Sequence, residues 1–89
     1  MDTERIAAKA TAIKNVTNHL LANLPDAMYP GGVANWFDGV RCDTVFWLPR
    51  TDAYLVSVAG VKSTNTQALG DYLRDTLGSL GYTTAVLIR

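Results

Sequence analysis

The sequence has one cysteine, one histidine and no surplus of either charge, and each scarcity removes a class of protein. The lone Cys42 excludes an internal disulfide framework and any zinc site built from several thiolates. His19 has no second histidine and no cysteine near it in sequence, so a metal role is a poor expectation and a half-buried or surface position a better one. Eight Lys and Arg offset eight Asp and Glu, which argues against a strongly basic surface that grips phosphate backbones unselectively. No apolar run approaches the ~18 residues of a membrane span, and the opening MDTERIAAKA lacks a signal-peptide core. The expectation is a cytoplasmic protein with no membrane partner.

What remains is a globular composition, 48 % hydrophobic and 18 % charged, without repeats, low-complexity tracts or linkers. One continuous domain, residues 1–89, is expected. A chain of this size buries only roughly 60–65 % of the surface it exposes when unfolded, so it is marginal alone and gains from oligomerisation. A symmetric pair is the commonest solution.

Residues 3–24 read as a helix. Ile6, Ala10, Ile13, Val16, Leu20, Leu21 and Leu24 recur at three- and four-residue steps, with Glu4, Lys14, Asn15 and Asn18 opposite. Asp2 or Thr3 can cap it and Pro25 ends it. Residues 25–39 are rich in Pro and Gly and read as a loop, with a short strand conceivable around 33–37. Val40–Leu48 reads as a strand with Val40, Cys42, Thr44, Phe46 and Leu48 on one face, and Arg41, Asp43, Val45 and Trp47 on the other.

A four-residue turn, Pro49-Arg50-Thr51-Asp52, leads to a second strand, Tyr54–Ala59, apolar enough for a central, two-sided place. Thr64 with Gln67 fits a capping box. Leu69, Tyr72, Leu73, Thr76, Leu77 and Leu80 supply the stripe of a helix that Gly81 stops, and residues 82–88 form a last strand. A right-handed crossover lays that strand parallel to one strand of the hairpin. The expected fold is a small α/β sandwich of order α-(β)-β-β-α-β, with helices packed on a mixed sheet.

Most residues that could carry chemistry have a plainer reading. Ser57 lacks the strand–turn–helix elbow that exposes nucleophilic serines and reads as a small polar filler. Cys42 reads as packing, since nothing in the spacing brings His19 close enough to activate its thiol. Residues 60–64 (GVKST) before a helix could offer amides to an anion, but a capped helix start accounts for them. The aromatics are the unusual content. Trp47, on the face assigned to Arg41 and Asp43, could stack bases with Arg41 and Arg50, or seal a subunit interface where Trp, Tyr and Arg are enriched. Arg41 and Asp43 then sit at a rim or line a cleft, because buried charge must be paired.

This order of elements, with Glu4 on the first helix, PGG at 30–32, Gly39-Val40-Arg41-Cys42-Asp43, the strand YLVSVA at 54–59, Gln67, LGSLGY at 77–82 and the closing AVLI, resembles the PD-(D/E)xK nuclease superfamily. Within it the likeness is to the VRR-NUC branch, related to Holliday-junction resolvases, and it covers most of the chain. The resemblance implies a metal-dependent nuclease fold with Asp43, Glu4 and Gln67 in the positions of family site residues. The departures are at the centre of that site. Ser57 falls where the family places its metal-binding carboxylate, Ala59 where it places its lysine, and Cys42 where it places its proline.

Holding Mg²⁺ for phosphodiester hydrolysis needs two or more carboxylates, and the lysine orients the attacking water. Asp43 alone makes a weak metal site. The resemblance therefore implies a degenerate nuclease fold that needs no cofactor. It would act as a homodimeric binding module for nucleic acid, a nucleotide-like ligand or protein, with Arg41, Trp47, Arg50 and Lys62 as candidate contacts. One alternative is an active Mg²⁺-dependent endonuclease in which a bulge at Gly60 turns Lys62 inward and Asp52 or Glu4 joins Asp43. Another is a phage-type assembly or inhibitor protein acting through an oligomeric surface.

Overall fold

The computed structural model describes residues 3–24, 37–61 and 66–89, which form two helices and three strands. They follow the order α1 (Thr3–Ala22), β1 (Phe37–Leu48), β2 (Ala53–Val61), α2 (Thr66–Ser79) and β3 (Thr84–Ile88). The sheet runs β1-β2-β3, with β1 antiparallel and β3 parallel to the central β2. Both helices pack on one face, giving the expected small α/β fold with a mixed sheet. The expected capping residue Thr64, together with Lys62 and the loop through residue 36, lies outside the described residues.

The covered face draws its core from every element. Ile13 and Leu21 of α1 and Leu69, Leu73 and Leu77 of α2 close over Val56 and Val58, all at 2 % exposure or less. Thr17 shares the buried stripe of α1, which hydrophobic periodicity alone did not include. Its hydroxyl donates to the Ile13 carbonyl at 2.7 Å, so it enters the core with its polar atom satisfied. At the other end of the stripe pattern, Leu80 lies past the last turn of α2 and is exposed, not buried as its spacing predicts.

Local chemistry sets the connections. The 49–52 turn joins Leu48 to Ala53 as expected, with the Thr51 amide donating to the Leu48 carbonyl. Asp52 takes the left-handed conformation (φ 53°) that Asp tolerates better than most residues. Gly81 (φ 94°) ends α2: its amide donates to the Gly78 carbonyl and that of Tyr82 to the Leu77 carbonyl, the paired bonds of a Schellman motif. Gly70 has no comparable duty. A Cβ there would meet Ile88 Cγ1 at 3.9 Å, an ordinary contact, so it is a tolerated helix weakness rather than a close approach.

The main correction concerns β1. It begins at Phe37 rather than Val40 and does not alternate regularly to its end. Cys42 pairs with Val58 and Thr44 with Ser57, leaving Asp43 as an extra residue in a bulge. The extra residue reverses the phase of the strand. Before it Val40 and Cys42 face the helices, and after it Val45 and Trp47 do so. Phe46, expected beside Cys42, instead projects from the uncovered face at 54 % exposure. Trp47, expected beside Arg41 and Asp43, packs toward the core against Tyr54, with ring centroids 4.9 Å apart.

Candidate functional site

A side chain of α1 engages the backbone of β1 beside the bulge. Asn18, half-buried on α1, turns its amide to a single residue of β1: the Cys42 amide donates to Asn18 Oδ1 at 2.8 Å, and Asn18 Nδ2 donates to the Cys42 carbonyl at 3.3 Å. The side chain thus replaces a neighbouring strand at that point. It satisfies the β1 backbone where another chain could otherwise pair. The helical spacing placed Asn18 on the polar side of α1, and no local signal marks its role.

Asp43 is turned out by the bulge next to Ser57, beside the strand position of Ala59. Of the residues that the nuclease resemblance aligns with a catalytic centre, Asp43 and Ser57 lie together, with Ala59 two residues along β2 opposite Arg41. A further participant is Arg89, which the sequence pattern does not mark. It follows β3, its amide donating to the Val58 carbonyl at 2.8 Å, and its Nη2 donates to Asp43 Oδ2 across the sheet. Burial works to raise the Asp43 pKa, but the Arg89 hydrogen bond, the Ser57 hydroxyl and the Arg89 charge outweigh it and hold the carboxyl below its ordinary value. Oδ1 is buried and has no well-formed hydrogen bond.

This arrangement does not fit Mg²⁺. A hard cation needs several oxygen ligands, whereas one Asp43 oxygen is committed to a guanidinium and its neighbours supply a hydroxyl and a methyl. Among the described residues no group of three His, Cys, Asp or Glu could close around an ion. The other candidates lie elsewhere. Asp43 shares a hollow with Ala10, Thr11 and Lys14 of α1, and Glu4 lies roughly 10 Å further along the helix at 1.5 Å per residue. Asp52 sits in the hairpin turn, roughly 17 Å along the strand from Asp43 at 3.3 Å per residue from 43 to 48. Gln67 lines a separate hollow with Gly70, Val86 and Ile88, on the helical side of the sheet. Lys62, and with it the effect of Gly60 (φ 89°) on its direction, falls outside the described residues.

The candidate binding residues separate as well. Arg41 is exposed on β1 and Arg50 is exposed in the turn, while Trp47 is partly buried and packs toward the core. His19 is exposed on the last turn of α1. Cys42 is buried, and burial, with the Asp43 charge beside it, pushes its thiol pKa up, the opposite of what a nucleophile requires.

The site's setting is the face of the sheet that, among the described residues, carries no helix. Phe46, Leu55 and Leu87 line a shallow hollow there together with Ser57 and the Asp43–Arg89 pair. Among the described residues no helix is long and apolar enough to cross a membrane. Comparison of the chain with protein-family models, curated proteins and solved structures finds no match in any of the three.

Proposed function

We propose that this chain is a non-catalytic binding module of nuclease-like element order, working in the cytoplasm as a homodimer. The observation that carries the reading is the pairing of Asp43 with Arg89 beside Ser57 and Ala59. Where a nuclease would hold a metal ion with free carboxylates, this site commits one oxygen of its one carboxylate to Arg89. Its groups neutralise each other and leave little to polarise a phosphate.

Among the ligands such a module could take, the geometry favours protein. Recognition of unpaired bases draws on exposed aromatic rings beside uncommitted cations. Trp47 packs toward the core, and the exposed ring of Phe46 stands among the apolar Leu55 and Leu87 beside an Arg89 already engaged by Asp43. The alternative of an assembly or inhibitor protein takes the nuclease resemblance as coincidental and places the function on an oligomeric surface.

Cleavage of branched, single-stranded and duplex DNA with Mg²⁺ or Mn²⁺ is the test. The expected result is no turnover, with Asp43→Ala indistinguishable from the parent chain. Metal-dependent turnover that disappears in Asp43→Ala would overturn the proposal in favour of an active endonuclease. A low-salt mobility shift lost on replacing Arg41 or Arg50 would move the ligand from protein to nucleic acid.

A further inference from the structure

On the sheet face that no described helix covers, large apolar side chains stand exposed. Phe46 and Leu87 are 54 % and 46 % exposed, and Leu55 lies between them on β2. Phe46 pairs with Leu55 across β1 and β2, and Ser57 pairs with Leu87 across β2 and β3, so the apolar side chains run diagonally over all three strands. The Asp43–Arg89 pair borders this diagonal.

We infer that a second copy of this chain covers the face, sheet against sheet about a two-fold axis. The inference rests on the proposed non-catalytic reading, because a face used for dimer contact cannot also admit a phosphodiester.

Three observations select a second copy over other occupants. The first is charge. Asp43 on this face is paired with Arg89, and Arg41, level with Ala59, adds one cation at its end, so a complement to the rest of the surface is apolar and carries little charge. The same face on another copy meets that requirement, and the chain's balance of eight basic and eight acidic residues gives two copies no net repulsion. A nucleic acid or a strongly charged protein does not meet it.

The second is area. At ~3.3 Å per residue and ~4.8 Å between strands, the face over residues 41–48 measures roughly 25 by 14 Å. Allowing for side-chain relief, this is on the order of 600 Å² per copy, about a tenth of the 5444 Å² surface and at the lower end of what specific dimers bury. The area fits a dimer in the micromolar range, not an obligate one.

The third is the state of the β1 edge. It is interrupted by the Asp43 bulge and bonded by Asn18 at Cys42, so edge-to-edge pairing along β1 is blocked where face-to-face packing is not. Two aligned sheets pack about 10 Å apart by interdigitating such side chains. The hollow over Leu55 and Ser57 on one copy then receives Phe46 of the other.

Sedimentation across roughly 1–500 µM chain tests this. The parent chain is expected to pass from the 9.6 kDa monomer to twice that mass within the range. Phe46→Glu and Leu87→Glu, both at exposed positions, should each raise the midpoint concentration at least about thirtyfold, roughly 2 kcal/mol of association. Leu80→Glu, equally exposed but past the end of α2, should leave the midpoint unchanged. Circular dichroism of each variant confirms folding. A parent chain that stays monomeric, a larger closed assembly, or a dimer indifferent to both face variants would overturn the inference. None of those results bears on cleavage, so the non-catalytic reading and the dimer face fail separately, although a chain that stays monomeric also removes the proposed homodimer.

Discussion

The two faces of the sheet are made from the same strands and differ in what covers them. On β2, Val56 and Val58 point into the helices and are fully buried, while Leu55, Ser57 and Ala59 point the other way. An apolar central strand usually signals cover on both sides. Here two helices are spent on one side, and the other is left with an apolar diagonal and a self-neutralised ion pair. The difference teaches that the apolar character of β2 serves two faces, of which the described helices cover one.

The contrast is broken or sharpened first by paired truncations. Leu73→Ala on the covered side removes a fully buried side chain from between α2 and the sheet, at a cost of about 2–5 kcal/mol. Leu87→Ala, half-exposed in the monomer, should cost under about 1 kcal/mol when urea unfolding is followed at low micromolar concentration. Equal losses would mean that the uncovered face is already packed within one chain.

Next in size is Asn18→Ala. It leaves both the amide and the carbonyl of Cys42 without their partner, which should cost about 1–3 kcal/mol because the groups are partly buried. Asn18→Asp keeps an acceptor for the amide but loses the donor to the carbonyl, so it should fall between the two. Hydrogen exchange at the Cys42 amide provides a local check: it should accelerate in Asn18→Ala more than at amides of β2. An unchanged rate would show that the bulge is held by something else.

That pair of bonds also explains how far the sequence could be read. The 49–52 turn, the Leu69-Leu73-Leu77 stripe, the Gly81 stop and the central place of β2 are local in origin, and their signals lie within a few residues. The bulge is not local. It lies beside Cys42, whose backbone bonds a helical side chain 24 residues away, and one inserted residue reversed the expected faces of Val45, Phe46 and Trp47. At the candidate site, strand order brings Asp43 beside Ser57 and Ala59. Arg89 escaped notice because its partner is 46 residues distant, and a single arginine after a strand carries no pattern. Thr17 was missed for a related reason: a hydroxyl that bonds its own helix can occupy an apolar stripe.

The smallest expected effect is the pH dependence of the uncovered face. Burial favours the neutral form of Asp43, yet the Arg89 hydrogen bond, the Ser57 hydroxyl and the Arg89 charge together bring its pKa below the unfolded carboxylate value. A folded pKa that is depressed contributes stability above the unfolded value, and that contribution is lost as pH falls through the folded one. The window therefore lies below about pH 4, the unfolded aspartate range. Stability of the parent and Asp43→Asn should differ at neutral pH and converge as pH falls beneath that value, and added salt should narrow the gap because Arg89 is about half exposed. In Arg89→Gln the Asp43 carboxyl should titrate higher by NMR, since burial is then opposed by the Ser57 hydroxyl without the arginine. A gap between parent and Asp43→Asn that stays constant through the acid range would mean that Arg89 touches the carboxylate without holding it. The site would then retain a free negative charge after all.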